Sequence, residues 1–283
     1  MKTPELISFL WRDVNGGNAP DGEVYGVPGK GRSFAISVVT VFALIFLWWA
    51  VTRWGVVDPL FFPSPSAVWN RAMEVATIGF GGSSLWGHAW ISIYRVFLAF
   101  FFACLTAIPI GLAMGMSRIF RGLFDPPIEF YRPIPPLAYL PLIIIWFGID
   151  ETSKIILIYL ACFAPMALST RAGVRSVSIE QIHVAYSLGA TRAQVIRHVV
   201  LKAALPEILT GMRIGIGFGW TTLVAAEMVA AAAGLGYMIL NASEFLVTDV
   251  VVMGIVVIGL IALLSDLLVR YLEFKLVPWK GKV

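Results

Sequence analysis

The spacing of charges constrains this chain more than any other feature. Residues 96–117, between Arg95 and Arg118, carry no charged side chain, and neither do residues 33–52, 133–149, 155–170 and 250–265. Residues 214–243 form a further run broken only by Glu227. A bilayer core takes about 20 apolar residues per helix. The pattern therefore predicts six spans, the shorter ones continuing past their flanking charges. Composition agrees, since 59% of the 283 residues are hydrophobic and 13% are charged. A soluble domain carries about 25% charged residues, and no water-soluble fold of this size buries so much apolar surface. Disorder is excluded for the same reason, and two cysteines exclude a disulfide scaffold. A net charge of +4 with dispersed basic residues gives no nucleic-acid footprint. The expected fold class is an all-α integral membrane protein.

Lys and Arg accumulate in cytoplasmic segments. With six spans and an inside N-terminus, the inside segments hold Lys2, Arg12, Lys30, Arg32, Arg118, Arg121, Arg171, Arg175, Arg192, Arg197, Lys202, Arg270, Lys275, Lys280 and Lys282. The outside segments hold only Arg53, Arg71 and Lys154. Both termini are expected in the cytoplasm. The expected boundaries are a tail over 1–32, a membrane domain over 33–272 with a loop at 171–206, and a tail over 273–283. No cleavable signal is expected, because the first 30 residues are polar and the first apolar run is span-length. Leu6 to Trp11 reads equally as a short interfacial helix or a frayed tail.

Within the spans, Ala99, Ala103, Ala107, Gly111 and Gly115 recur every four residues, as do Gly211, Gly215 and Gly219. Small faces let helix backbones approach closely in lipid, whether at a sliding pore interface or in static packing. Pro126, Pro127, Pro133, Pro135, Pro136 and Pro141 crowd one stretch. Regular helix is not expected through it, so it should be shielded by protein, line a wet cavity or lie partly in the headgroup zone, and a bent structural entry into the third span would explain the prolines too. Glu129 and Arg132 are three apart and suited to pairing on one turn. They and Glu227 are candidate pathway residues, because intramembrane charges usually face the bundle interior or a cavity. Arg95 and Arg213 are candidates on the same ground, set against the plainer reading of a structural ion pair or an end residue snorkelling to the interface. Trp146, Phe147, Phe163, Phe218 and Trp220 form a candidate aromatic gate that core packing would explain as well.

The polar stretch from Arg171 to Pro206 is too long for an ordinary bundle connection. Ile179, Ile182, Ala185 and Tyr186 share one helical face, and Ala193, Ile196, Val200 and Ala203 share another beyond Gly189-Ala190. A helix, a glycine turn and a second helix at the membrane surface would form a docking surface for a soluble partner, or a surface-lying linker pair with no partner.

The stretch AYSLGATRAQVIRHVVLKAALPEILTGMRIGIG resembles the cytoplasmic signature loop of permease subunits of ABC importers. Ala185, Gly189, Val199 and Leu201 take signature positions. His183 and Val184 stand where that signature has Glu-Ala, and Lys202 where it has proline. DPPIEFYRPIPPLAYLPLIIIWFGIDETSKIILIYLACFAPMALS, WTTLVAAEMVAAAAGLGYMI and FLVTDVVVMGIVVIG resemble the taurine, alkanesulfonate and nitrate branch, nearest its taurine members, from about residue 40 onward. The resemblance implies a type I importer permease fold in a bacterial inner membrane. It also implies a homodimer, two cytoplasmic ATPase subunits and a periplasmic substrate-binding protein. Ala185, Tyr186, Ser187, Leu188, Gly189, Ala190 and Thr191 would face the ATPase, with Ala185 and Ala190 seating closely in its groove.

No cofactor is expected in this chain, since Gly26 to Gly31 lacks the P-loop spacing. ATP and Mg would be bound by the partner. Taurine, a zwitterion, would suit a pathway with Arg132 beside Glu129 or Glu227, passing Phe163 and Trp220. Nitrate, bicarbonate and longer alkanesulfonates are the rival substrates. A membrane enzyme is disfavoured because His88, His183 and His198 are scattered and no nucleophile elbow occurs. An ion-driven secondary transporter is disfavoured by the long loop and the lack of an internal repeat.

Overall fold

Charge-free runs of this length leave the backbone no hydrogen-bonding partner in lipid except itself, so they fold as helices. A computed structural model describes residues 34–279 and contains no strand among them. The Leu6–Trp11 segment lies outside the described residues. The chain divides into two compact units, the first ending at Trp69 and the second beginning at Asn70.

The first unit holds α1 (Phe34–Arg53). Its Ile36, Phe42, Leu44 and Phe46 are all exposed, as suits a helix that is apolar all round. After α1 the chain turns back, and Trp48 Nε1 donates to Pro63 O at 3.0 Å. Ser64 Oγ then accepts from Ala67 N at 3.2 Å and opens α2 (Pro65–Thr77), with proline at its start. The sequence pattern did not mark α2, which carries the chain into the second unit.

The second unit is built on α3 (Leu85–Met116), α6 (Glu151–Arg175) and α9 (Leu201–Ala230). The small residues set this arrangement. A β-carbon on Gly111 of α3 would stand 2.6 Å from Ala167 O, and one on Gly115 2.5 Å from Val174 Cβ. On the other side of α6, a β-carbon on Gly215 of α9 would stand 2.7 Å from Met166 Cε. Ala99, Ala103 and Ala107 are fully buried. Both stripes thus pack on α6, where close approach supplies the dispersion that lipid cannot replace.

The proline stretch is broken, as expected, but Pro126, Pro127 and Pro141 sit inside helices on either side of the break. Helix α4 (Arg118–Tyr131) runs through Pro126 and Pro127, and α5 (Pro136–Phe147) through Pro141. Each internal proline removes one backbone bond without ending the helix. Pro136 stands at the first turn of α5, where its missing N–H is not needed. The break falls between Tyr131 and Pro136, and α4 and α5 meet there at 105°. The run 214–243 also breaks: Arg192–Ala230 and α10 (Leu235–Glu244) are bent by 52°. The last helix among the described residues is α11 (Thr248–Leu276). Four helices are long and apolar enough to cross a membrane, or six if each bent pair is one span.

Ion pairs tie the helices laterally. Arg213 of α9 meets Asp266 of α11 at 3.1 Å, and Arg71 of α2 meets Asp249 of α11 at 2.8 Å. Arg171 of α6 pairs with Asp125 and lies 3.5 Å from Glu129, both of α4. Among the described residues, Glu129 therefore pairs with Arg171 and not with Arg132. Arg132 stands at the end of α4, where the chain turns away toward α5.

Candidate functional site

The loop after α6 folds as the sequence suggests. Ser178 Oγ accepts from Gln181 N at 3.3 Å and opens α7 (Ile179–Ser187). The Glu180 carboxyl lies outside the spans, and its own backbone N–H and the Ser178 hydroxyl hold it below the usual carboxylate range. Gly189 N donates to Tyr186 O at 2.9 Å and Ala190 N to Ala185 O at 3.1 Å. These two bonds make a Schellman close, with Gly189 at φ +82°, a conformation that favours glycine. Thr191 then forms a capping box with Gln194 and starts α8 (Arg192–Val195).

Two details differ from expectation. Residues Ile196–Val200 form a π-helical turn leading into α9. A π turn inserts one residue into the helical phase, so the buried face is Val195, Val200, Ala204 and Ile208, while Ala193 is exposed. Ala185 and Ala190 pack inward against that cluster, because the Schellman close draws them together. The apolar residues left uncovered are Ile179, Val184, Tyr186 and Leu188, the last 83% exposed. Ser187, Gly189 and Thr191 are exposed beside them. A groove of about 550 Å³, lined by Val184, Leu188, His198, Lys202 and Trp279, runs along this face.

A second concavity lies at the α4–α5 bend. About 420 Å³ in volume, it is lined by Tyr131, Arg132, Tyr139, Ser169, Glu207 and Phe218. Arg132 and Glu207 have no ion-pair partner among the described residues, so the cavity holds one free cation and one free carboxylate. Phe218 is half exposed there, as are Trp146 and Phe147 elsewhere. Phe163 and Trp220 are buried in the main core. The five aromatics thus do not form one cluster.

Glu227 sits elsewhere, at the end of the unit opposite the loop. It is fully buried. It accepts from Arg95 Nη1 at 2.7 Å, Gly236 N at 2.8 Å and Ser92 Oγ at 2.8 and 3.0 Å. Arg95, 2% exposed, also donates to Ala233 O at 2.7 Å and forks onto Glu151 with two bonds of 2.6 Å. Lys154 Nζ completes the set at 3.1 Å from Glu151 and 3.2 Å from Ile149 O. Nearby, His88 Nδ1 accepts from Gly234 N at 3.0 Å, which places its proton on Nε2, 2.9 Å from Phe80 O. Reading the sequence missed this network because its members are far apart along the chain.

The second unit is thus an all-α unit of close-packed helices with a capped helix–glycine–helix loop at one end. Residues 107–278 match the family described as "Binding-protein-dependent transport system inner membrane component". The chain belongs to that family. The taurine transport system permease protein TauC of Escherichia coli (strain K12) is 54% identical over 253 residues, 89% of this chain and 92% of that one. SsuC of Bacillus subtilis (strain 168), named as an aliphatic sulfonates transport permease protein, is 38% identical over 238 residues, 84% of this chain and 85% of that one. Among solved structures, the inward-facing MetNI methionine ABC transporter aligns with a TM-score of 0.53 at 20% identity, covering 64% of this chain and 93% of that one. At that identity the likeness shows the fold, which is the type I ABC importer permease fold. This permease is a multi-pass inner-membrane protein and is not itself an enzyme.

Proposed function

We propose that this permease carries taurine, or a closely related small sulfonate, inward in an ATP-driven importer. The observation that carries the reading is the 54% identity to a taurine permease over 89% of the chain. Two copies form the pathway. Two ATPase subunits, which bind ATP and Mg, dock on the cytoplasmic loops, and a periplasmic binding protein delivers substrate. Both termini and α7 lie on the cytoplasmic side, as the distribution of Lys and Arg supports. The membrane domain spans about residues 33–272, with tails on either side.

In this reading the turn from Ala185 to Thr191 couples ATPase movement to the spans. Leu188, Val184 and Tyr186 supply the apolar contact, while Ala185 and Ala190 brace the turn from inside. The cavity at the α4–α5 bend serves as a low-affinity part of the pathway. Arg132 suits the sulfonate and Glu207 the ammonium, since charge-assisted bonds orient a zwitterion. Glu129, Glu227, Phe163 and Trp220 support the pathway walls rather than contact substrate.

Uptake of labelled taurine in cells with and without this chain tests the reading, with alkanesulfonates and nitrate as competitors. Loss of uptake on deletion, insensitive to nitrate, is expected. Unchanged taurine uptake would assign another substrate.

A further inference from the structure

The network around Arg95 borders a pocket of about 710 Å³ at the end opposite the loop, lined by Tyr94, Arg95, Asp150, Glu151, Lys154 and Ala232. Its two cations are almost fully buried, at 2% for Arg95 and 4% for the Lys154 side chain, but Glu151, the carboxylate that bridges them, is 53% exposed. The two carboxylates are held unequally. Glu227 is held by three donors, Arg95, Gly236 N and the Ser92 hydroxyl shared between its two oxygens, and has no access to solvent. Glu151 sits in the first turn of α6 with its outer face in the pocket.

The cations do not depend on Glu151 for their positions. Arg95 stays fixed by Glu227 and Ala233 O, and Lys154 by Ile149 O. If Glu151 swings out, a guanidinium edge and an ammonium remain, preformed and aimed at the pocket. A guanidinium fork suits paired oxygens, and a sulfonate offers three.

We propose that this pocket is a receiving site for the sulfonate end of the substrate, with Glu151 as an internal stand-in that the sulfonate displaces. The exchange conserves charge: one anion replaces another on Arg95 and Lys154, so neither buried cation is left bare. The released Glu151, beside Asp150, then faces the substrate's ammonium. This rests on the sulfonate reading above and adds a second site, distinct from the Arg132 cavity.

The test uses the assembled complex in nanodiscs, with Ala232→Cys on the pocket rim as a reporter in a Cys104→Ala background. The readout is the rate of labelling by N-ethylmaleimide. Taurine and 2-hydroxyethanesulfonate should slow it, and ethanolamine should not. Glu151→Gln should lower the half-effective concentration of 2-hydroxyethanesulfonate about tenfold, because its competitor is weakened. Lys154→Met should raise it about tenfold, the size of one lost charge-assisted bond. Sulfonates that leave labelling unchanged in a complex that transports taurine would overturn the site and spare the substrate reading. Protection indifferent to both substitutions would overturn it too. Protection in a complex that fails to transport taurine would keep the site and overturn the reading.

Discussion

Arg95 on α3 and Glu227 on α9 meet at 2.7 Å with neither side chain open to solvent, 132 residues apart in the chain. A buried charge that loses its partner costs about 3–5 kcal/mol. Glu227→Leu and Arg95→Leu should each lower the melting temperature in detergent sharply. The double substitution should recover much of the loss, because well-packed apolar side chains replace a buried pair at little cost. Additive losses in that double-mutant cycle would show that the two residues do not act as a pair.

Gly189 is held at φ +82° with open space where a β-carbon would go. The cost of a side chain there is backbone strain, about 1–2 kcal/mol, not collision within this chain. Gly189→Ala should leave the permease folded and reduce co-purification of the ATPase subunits, and Gly189→Asn should be milder. Gly189→Trp should abolish co-purification. An assembled and fully active Gly189→Trp complex would remove the loop from the coupling role.

The small-residue faces give a graded prediction. Gly111→Leu and Gly215→Leu force bulk into contacts already at 2.6 and 2.7 Å from a β-carbon. Overpacking of this kind costs about 1–3 kcal/mol or more. Gly122→Ala, in α4 with no atom within 4 Å of the added carbon, should be neutral or slightly stabilising. Thermal melts of the three variants should separate in that order.

The Arg132 cavity predicts a transport effect without a folding effect. Arg132→Ala and Glu207→Gln should each cut taurine uptake about tenfold, the value of one charge-assisted hydrogen bond, at normal membrane abundance. Arg132→Lys should retain part of the activity. Full uptake in both variants would exclude the cavity from the pathway.

Much of this fold is legible from charge spacing alone, because lipid punishes a misplaced charge and helices are the only open solution. The stripes through Gly111 and Gly215, and the turn at Gly189, are equally plain, since small residues at a fixed period and a lone glycine between caps have few other uses. The network of Arg95, Glu151 and Glu227 is not legible, because Arg95 and Glu151 are unremarkable end charges and Glu227, conspicuous inside its run, shows no partner until three helices bring them together. The π turn at Ile196–Val200 shifts the buried face by one residue, a change no period-3.6 reading contains. Pro126 and Pro127 misled for the opposite reason: proline weakens a helix locally, and neighbouring helices in lipid sustain it.

The stripes on α3 and α9 also bear on mechanics. Helix α6 has 25 residues, so it is a strut roughly 37 Å long, held on both flanks by close glycine contacts, with Ala167 O 2.6 Å and Cys162 O 3.2 Å from where β-carbons on Gly111 and Gly215 would stand. Such a clamp leaves little room, because a β-carbon at Gly111 or Gly215 would stand closer than 3.0 Å to atoms of α6. In the proposed coupling, force applied near Gly189 would therefore reach the far end by displacing the three-helix block as a whole. Compliance is left to the joints at its edges, the 105° and 52° bends.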